Sequence, residues 1–179
     1  MKKPGPASES ELTLLAAEPA DYALFRFQSI AINVWRSQPN ERGVKVLTDL
    51  TQESLSVCPK GISSIHCIES GAGVPTSEAR RGLRDIATRY ESHIACVGVI
   101  LYGEGFWASA IRSAVAGILL VGPKPAFPLR MYASAQELTA WLPELHQQRT
   151  GIAVDASLLL EMIERARSYE RQAPARAHV

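Results

Sequence analysis

The chain has 179 residues, 46% of them hydrophobic, and 19 Lys and Arg against 18 Asp and Glu leave a formal net charge of +1. That length can bury a core and favours one domain with appendages, while the near-zero charge gives no general electrostatic drive toward nucleic acid or anionic membrane. Cys58, Cys67 and Cys96 are widely spaced with no C-x-x-C pairing, which argues against a disulfide framework or a cysteine-clustered zinc site and fits a reducing cytoplasm.

Residues 1–20 carry Pro4, Pro6 and Pro19 around a short apolar patch, Leu12, Leu14 and Leu15, and read as a flexible tail or strap. The two lysines at the start are not followed by the apolar stretch of a secretory leader. Residues 22–27 and 30–35 alternate in the strand manner, and the short Gln28-Ser29 interval predicts an antiparallel hairpin. Pro39 can start a helix with Val44, Leu47, Leu50 and Thr51 on one face, ended by Cys58-Pro59-Lys60-Gly61. A strand follows over 62–69, then a loop over 70–75, then a helix with Ala79, Leu83, Ile86, Ala87 and Tyr90 on one stripe and its arginines largely elsewhere.

The run from 94 to 101 is rich in β-branched residues and apolar on both faces, as in the middle of a sheet covered by helices. Gly103-Glu104-Gly105 turns it into a helix over 106–120, too short for a membrane span and carrying Arg112 near its centre. Pro123, Pro125 and Pro128 break the helix before a short strand at 129–133. Ser134 and Glu137 then form a capping box for a helix with Leu138, Trp141, Leu142 and Leu145 inward, kinked or shortened at Pro143. Residues 147–151 link to a last helix capped by Asp155, with Leu158, Leu159, Met162, Ile163 and Ala166 on its apolar side, and 171–179 read as a frayed end. That helix either docks on the domain or pairs with a second copy as a homodimer.

The fold class is therefore α/β: a layered, mixed sheet of about five strands with an antiparallel edge strand, helices packed on it and an extra C-terminal helix. The divisions are a flexible segment at 1–20, an α/β domain at 21–147 and a C-terminal helix and tail at 148–179.

Chemistry is harder to read. Gly103-x-Gly105-x-x-Ala108 is a relaxed dinucleotide fingerprint, but no acidic residue stands about 20 positions on to hold a ribose. The four histidines nominate no base for a nucleophile, His66 reads as a locally paired strand residue, and Cys67 and Cys96 read as core thiols. No catalytic, metal or cofactor constellation emerges. What remains is a binding face at the strand ends: Glu69, Gly71 and Gly73 in one loop, and Gly103, Gly105, Phe106, Trp107, Ser109 and Arg112 around the next, with Ser70 and Thr76 as the hydroxyls placed to take a phosphate.

The element order and the Glu69-Ser70-Gly71-Ala72-Gly73 loop resemble the STAS family, the sulfate-transporter and anti-sigma-factor-antagonist domains, over roughly residues 22–145. The segment 129–142, a short strand and a capped helix ending in Ala140-Trp141-Leu142, looks like the end of STAS-like, lipid-binding-related bacterial domains. In the STAS family the corresponding loop reads Asp-Ser-Ser-Gly and its serine is phosphorylated by a partner kinase. The match here puts Ser70 in that place, with Glu69 for the aspartate and one serine missing. The resemblance implies a cytoplasmic, non-enzymatic module that binds a regulatory protein, such as a kinase or an anti-sigma-like factor. The alternative is a carrier for a small apolar ligand or lipid, walled by the helix at 106, and the third reading is a phosphate- or nucleotide-binding enzyme. A closed apolar cavity favours the carrier, and a filled core with Ser70, Trp107 and Arg112 exposed favours the switch.

Overall fold

The computed structural model describes residues 11–120 and 125–169. Pro4, Pro6, Pro123 and the end at 171–179 lie outside the described residues. Within them, six strands form one mixed sheet in sequential order: β1 (Leu12–Glu18), β2 (Tyr22–Phe27), β3 (Ile30–Trp35), β4 (Ile62–Glu69), β5 (Ile94–Tyr102) and β6 (Leu129–Tyr132). Each of the first three runs antiparallel to its neighbour, and β3 to β6 run parallel.

The sixth strand is the difference from the sequence reading. Leu12–Glu18, read as part of a tail or strap, pairs along the whole of β2 as an edge strand. Its Leu12, Leu14 and Leu15 carry no strict alternation, and a bulge between Leu14 and Ala16 explains why: an extra residue shifts the inward set by one.

Helices α1 (Glu41–Val57), α2 (Ser77–Arg89) and α3 (Gly105–Leu120) cover one face of the sheet, and α4 (Ala135–Thr139), α5 (Leu142–Thr150) and α6 (Ala156–Ser168) cover the other. Their starts follow local chemistry. Asn40, Thr76, Ser134 and Asp155 each accept a hydrogen bond from the backbone N–H three residues on, which satisfies an otherwise orphaned donor. The capped helix at Ser134 breaks at Ala140-Trp141, and Pro143 then sits in the first turn of α5, where its missing N–H is harmless.

Successive strand residues point to opposite faces, so two cores form. Phe27, Ile30, Ile32, Ile65, Cys67, Cys96 and Ile100 meet Leu138, Leu142, Leu159, Met162 and Ile163 on the α4–α6 side. Trp35, Ile68, Val97, Val99 and Leu101 meet Val44, Leu47, Ala79, Ile86 and Ile111 on the α1–α3 side. The apolar stripe of α6 is buried on its own domain, so this stripe docks intramolecularly instead of presenting a surface for a second copy. Among the described residues no helix is long and apolar enough to cross a membrane.

Candidate functional site

The α1–α3 side is not filled. Between the sheet and these helices lies a partly enclosed cavity of about 130 Å³. Leu47, Leu83, Ile86, Ala87, Ile111 and Val115 from the helices and Ile62, Ile68, Val97 and Val99 from the strands make its lining predominantly apolar. Cavities of roughly 150 Å³ with such a lining stay dry and accept molecules the size of benzene.

One row of the lining is polar. On β4 the residues facing this side are Ile62, Ser64, His66 and Ile68, and Ser64 and His66 sit at the middle of the sheet. Across β3, Trp35 Nε1 donates to His66 Nδ1 at 3.1 Å, with the two rings within 6° of parallel. His66 Nε2 lies 3.1 Å from Ser64 Oγ, and Asn33 Nδ2 donates to the same oxygen at 3.0 Å. An indole N–H can only donate, so Nδ1 of His66 is the acceptor nitrogen. Burial pushes the His66 pKa down to about 4, so near neutrality the ring is uncharged and its one proton sits on Nε2, aimed at Ser64. Both nitrogens are engaged, leaving the ring no lone pair for proton transfer.

The other buried histidine lies on the opposite face. His146 is held between Ser29 Oγ at 2.9 Å and Ser63 Oγ at 2.8 Å, and Ser63 also meets Cys96 Sγ at 3.2 Å. Burial lowers the His146 pKa to about 4 and raises those of Cys67, to about 12, and Cys96. These thiols are protonated core groups, in keeping with their reading as such. Among the described residues no three His, Cys, Asp or Glu side chains gather as they would around a metal ion.

The residues nominated from sequence fall into three groups. The first is brought together: Trp107 Nε1 donates to Ala72 O at 2.6 Å, tying the β4–α2 loop, with Gly71 at its turn (φ 96°), to the start of α3. Gly103 lies under this indole, where a Cβ would sit 2.6 Å from the ring, and Gly73 packs on Gln38. Thr76 is the α2 cap, its hydroxyl oxygen accepting from Ala79 N, and Ser70 is exposed on the turn.

The second group, Phe106, Ser109 and Arg112, follows Gly105 on the exposed side of α3, with Phe106 90% exposed. The third is Glu69 alone. It turns to the other face, where Arg167 of α6 donates to both its carboxylate oxygens at 2.7 and 3.3 Å while stacking over Tyr102. Burial disfavours the Arg167 charge, but the Glu69 hydrogen bonds together with the charge interactions with Tyr102, Glu69 and Glu164 outweigh that and raise its pKa overall. Glu69 is thus a strut for the C-terminal helix, not a member of the loop surface.

Sequence reasoning missed the cavity row. Its signal was two polar residues on one side of a central strand, Ser64 and His66 between Ile62 and Ile68. It also missed an open crevice between α2 and α3 lined by Ser77, Arg80, Arg81, Arg84 and Ser113. No protein-family model matches the chain, and no curated protein matches it.

Proposed function

We propose that this chain is a binding protein for a small apolar molecule, the carrier reading that the sequence left second. The cavity carries the proposal. A void of about 130 Å³ beside an otherwise close-packed core forfeits the contacts its lining would make. A ligand that fills it recovers those contacts and adds its own transfer from water, about 25 cal/mol for each Å² of apolar surface buried. The neutral, doubly bonded His66 and the protonated thiols support binding over turnover.

Titration of the full chain with methylenecyclohexane, followed by amide shifts in two-dimensional NMR, tests this. Saturable shifts are expected at Val97, Val99, Leu83 and Ile86, and Ala87→Leu, which places a larger side chain in the space, should remove them while the fold is retained. Shifts that are absent in the unaltered chain, or identical in Ala87→Leu, would sink the reading.

A second reading, the regulatory protein-binding module, is favoured by Phe106, whose ring stands 90% exposed at the first turn of α3, one residue from the Trp107 tie. A large aromatic at a rim is a common anchor for a partner.

A further inference from the structure

The polar row on β4 goes further than the cavity, because its protons can be counted. Ser64 Oγ has two lone pairs and one proton. Trp35 fixes Nδ1 of His66 as acceptor, so Nε2–H donates to Ser64 and takes one lone pair. Asn33 Nδ2 donates and takes the other. With the Asn33 amide in this orientation Ser64 cannot give its proton to either neighbour, and no hydrogen bond among the described residues takes it.

The remaining polar side chains that line the cavity are accounted for. Thr51 donates its hydroxyl proton to Leu47 O at 2.7 Å, Trp35 has given its N–H to His66, and His66 has given its own to Ser64. Ser64 is the one lining side chain with a proton left over. Its two accepted bonds come from the strand side, so the tetrahedral arrangement about oxygen directs the third bond away from them, toward the cavity. Ser64 is half-buried, and a hydroxyl proton left without an acceptor away from water costs up to about 1–3 kcal/mol. A water is a poor remedy, since a stable buried water wants roughly two to four polar partners and this lining offers one donor.

We propose that Ser64 donates a hydrogen bond to the cavity ligand, which is therefore a small apolar body bearing one hydrogen-bond acceptor, of the class of a cyclic or short-chain ketone, ester or ether. This rests on the cavity reading above and adds the polar half of the specificity. Discrimination follows from the asymmetry of hydrogen bonding: a ligand with the acceptor binds more tightly, by about the tenfold of one hydrogen bond, than the analogue that lacks it and leaves Ser64 unpaired.

Two probes with one ring and one difference test it, cyclohexanone and methylenecyclohexane, titrated into the full chain, Ser64→Ala and Ser64→Thr. Ser64→Ala should weaken cyclohexanone roughly tenfold, the size of one lost hydrogen bond, leave methylenecyclohexane within about twofold, and be rescued in part by Ser64→Thr. The infrared carbonyl stretch of bound cyclohexanone supplies a measurement that needs no variant, and it should lie below its frequency in alkane. If Ser64→Ala does not fold, that stretch decides alone. Equal effects of Ser64→Ala on both probes, or a carbonyl stretch at the alkane position in the unaltered chain, overturn the donor while the cavity reading stands. Failure of both probes to bind the unaltered chain overturns both.

Discussion

The two faces of the sheet each bury a histidine whose ring nitrogens are both engaged, and they treat it differently. On the α4–α6 face, His146 sits between two serines, one of which also meets the Cys96 thiol, so with Ser29 donating to the ring and the ring to Ser63 the row ends on an S–H, a weak donor whose lack of a partner costs little, inside a dense core of Phe27, Ile65, Leu138 and Leu142. On the α1–α3 face, the row Trp35–His66–Ser64–Asn33 begins and ends on donors. A row with donors at both ends has one proton too many, and it borders a void. The difference teaches that burial alone does not mark a site: what marks it is a polar network that fails to close next to space that fails to fill.

Truncating the packed face should give the largest effect. Leu138→Ala, at a fully buried position, is expected to lower unfolding free energy by about 3–5 kcal/mol, against about 1–2 for Leu83→Ala, whose side chain already faces space. Urea denaturation of both variants checks this, and equal losses would mean that the two faces are equally packed.

Acid should act on both faces. A histidine whose folded pKa is lowered contributes stability that is fully present above its unfolded value near 6.5 and is lost as pH falls toward the folded value of about 4. Each ring accounts for up to about 3 kcal/mol over that window, with His66 counted as buried because its accessible surface faces the cavity. Denaturation series from pH 7 to 4 on His66→Gln and His146→Gln should each flatten part of the slope. A ligand in the cavity keeps solvent from the His66 ring and should steepen the His66 share of the slope, leaving that of His146 alone.

At the small end stands the rim. Phe106→Ser should change thermal stability by less than about 0.5 kcal/mol, since an exposed ring loses little on removal. If instead it destabilises by more than about 1 kcal/mol, Phe106 packs on something and the protein-binding reading loses its anchor.

Much of this fold was legible because its signals are local or periodic. The two-faced apolar run of β5, the hairpin at Gln28-Ser29 and the caps at Ser134 and Asp155 all declare themselves in a few consecutive residues. β1 was not, because its strand state comes from pairing with β2 and its bulge scrambles the alternation. The candidate site was half legible. Glycines and hydroxyls drew attention to the loops, where the Trp107–Ala72 bond does join two of them, but Glu69 belongs to a partner 98 positions away that no short motif could reveal. A cavity is a property of how far helices stand from a sheet, and no residue spells it.

The edges of the sheet bear on how the molecule behaves in a crowd of its own copies. An open strand edge is a template on which another chain can pair and begin a fibre. Here β6 offers only four residues, with Arg130 among them, and β1 is interrupted by the bulge between Leu14 and Ala16. A bulge twists an edge and breaks its even ladder of donors and acceptors, so neither margin presents a long flat ribbon. The irregularity that hid β1 from the sequence is also what makes that strand a poor seed for aggregation.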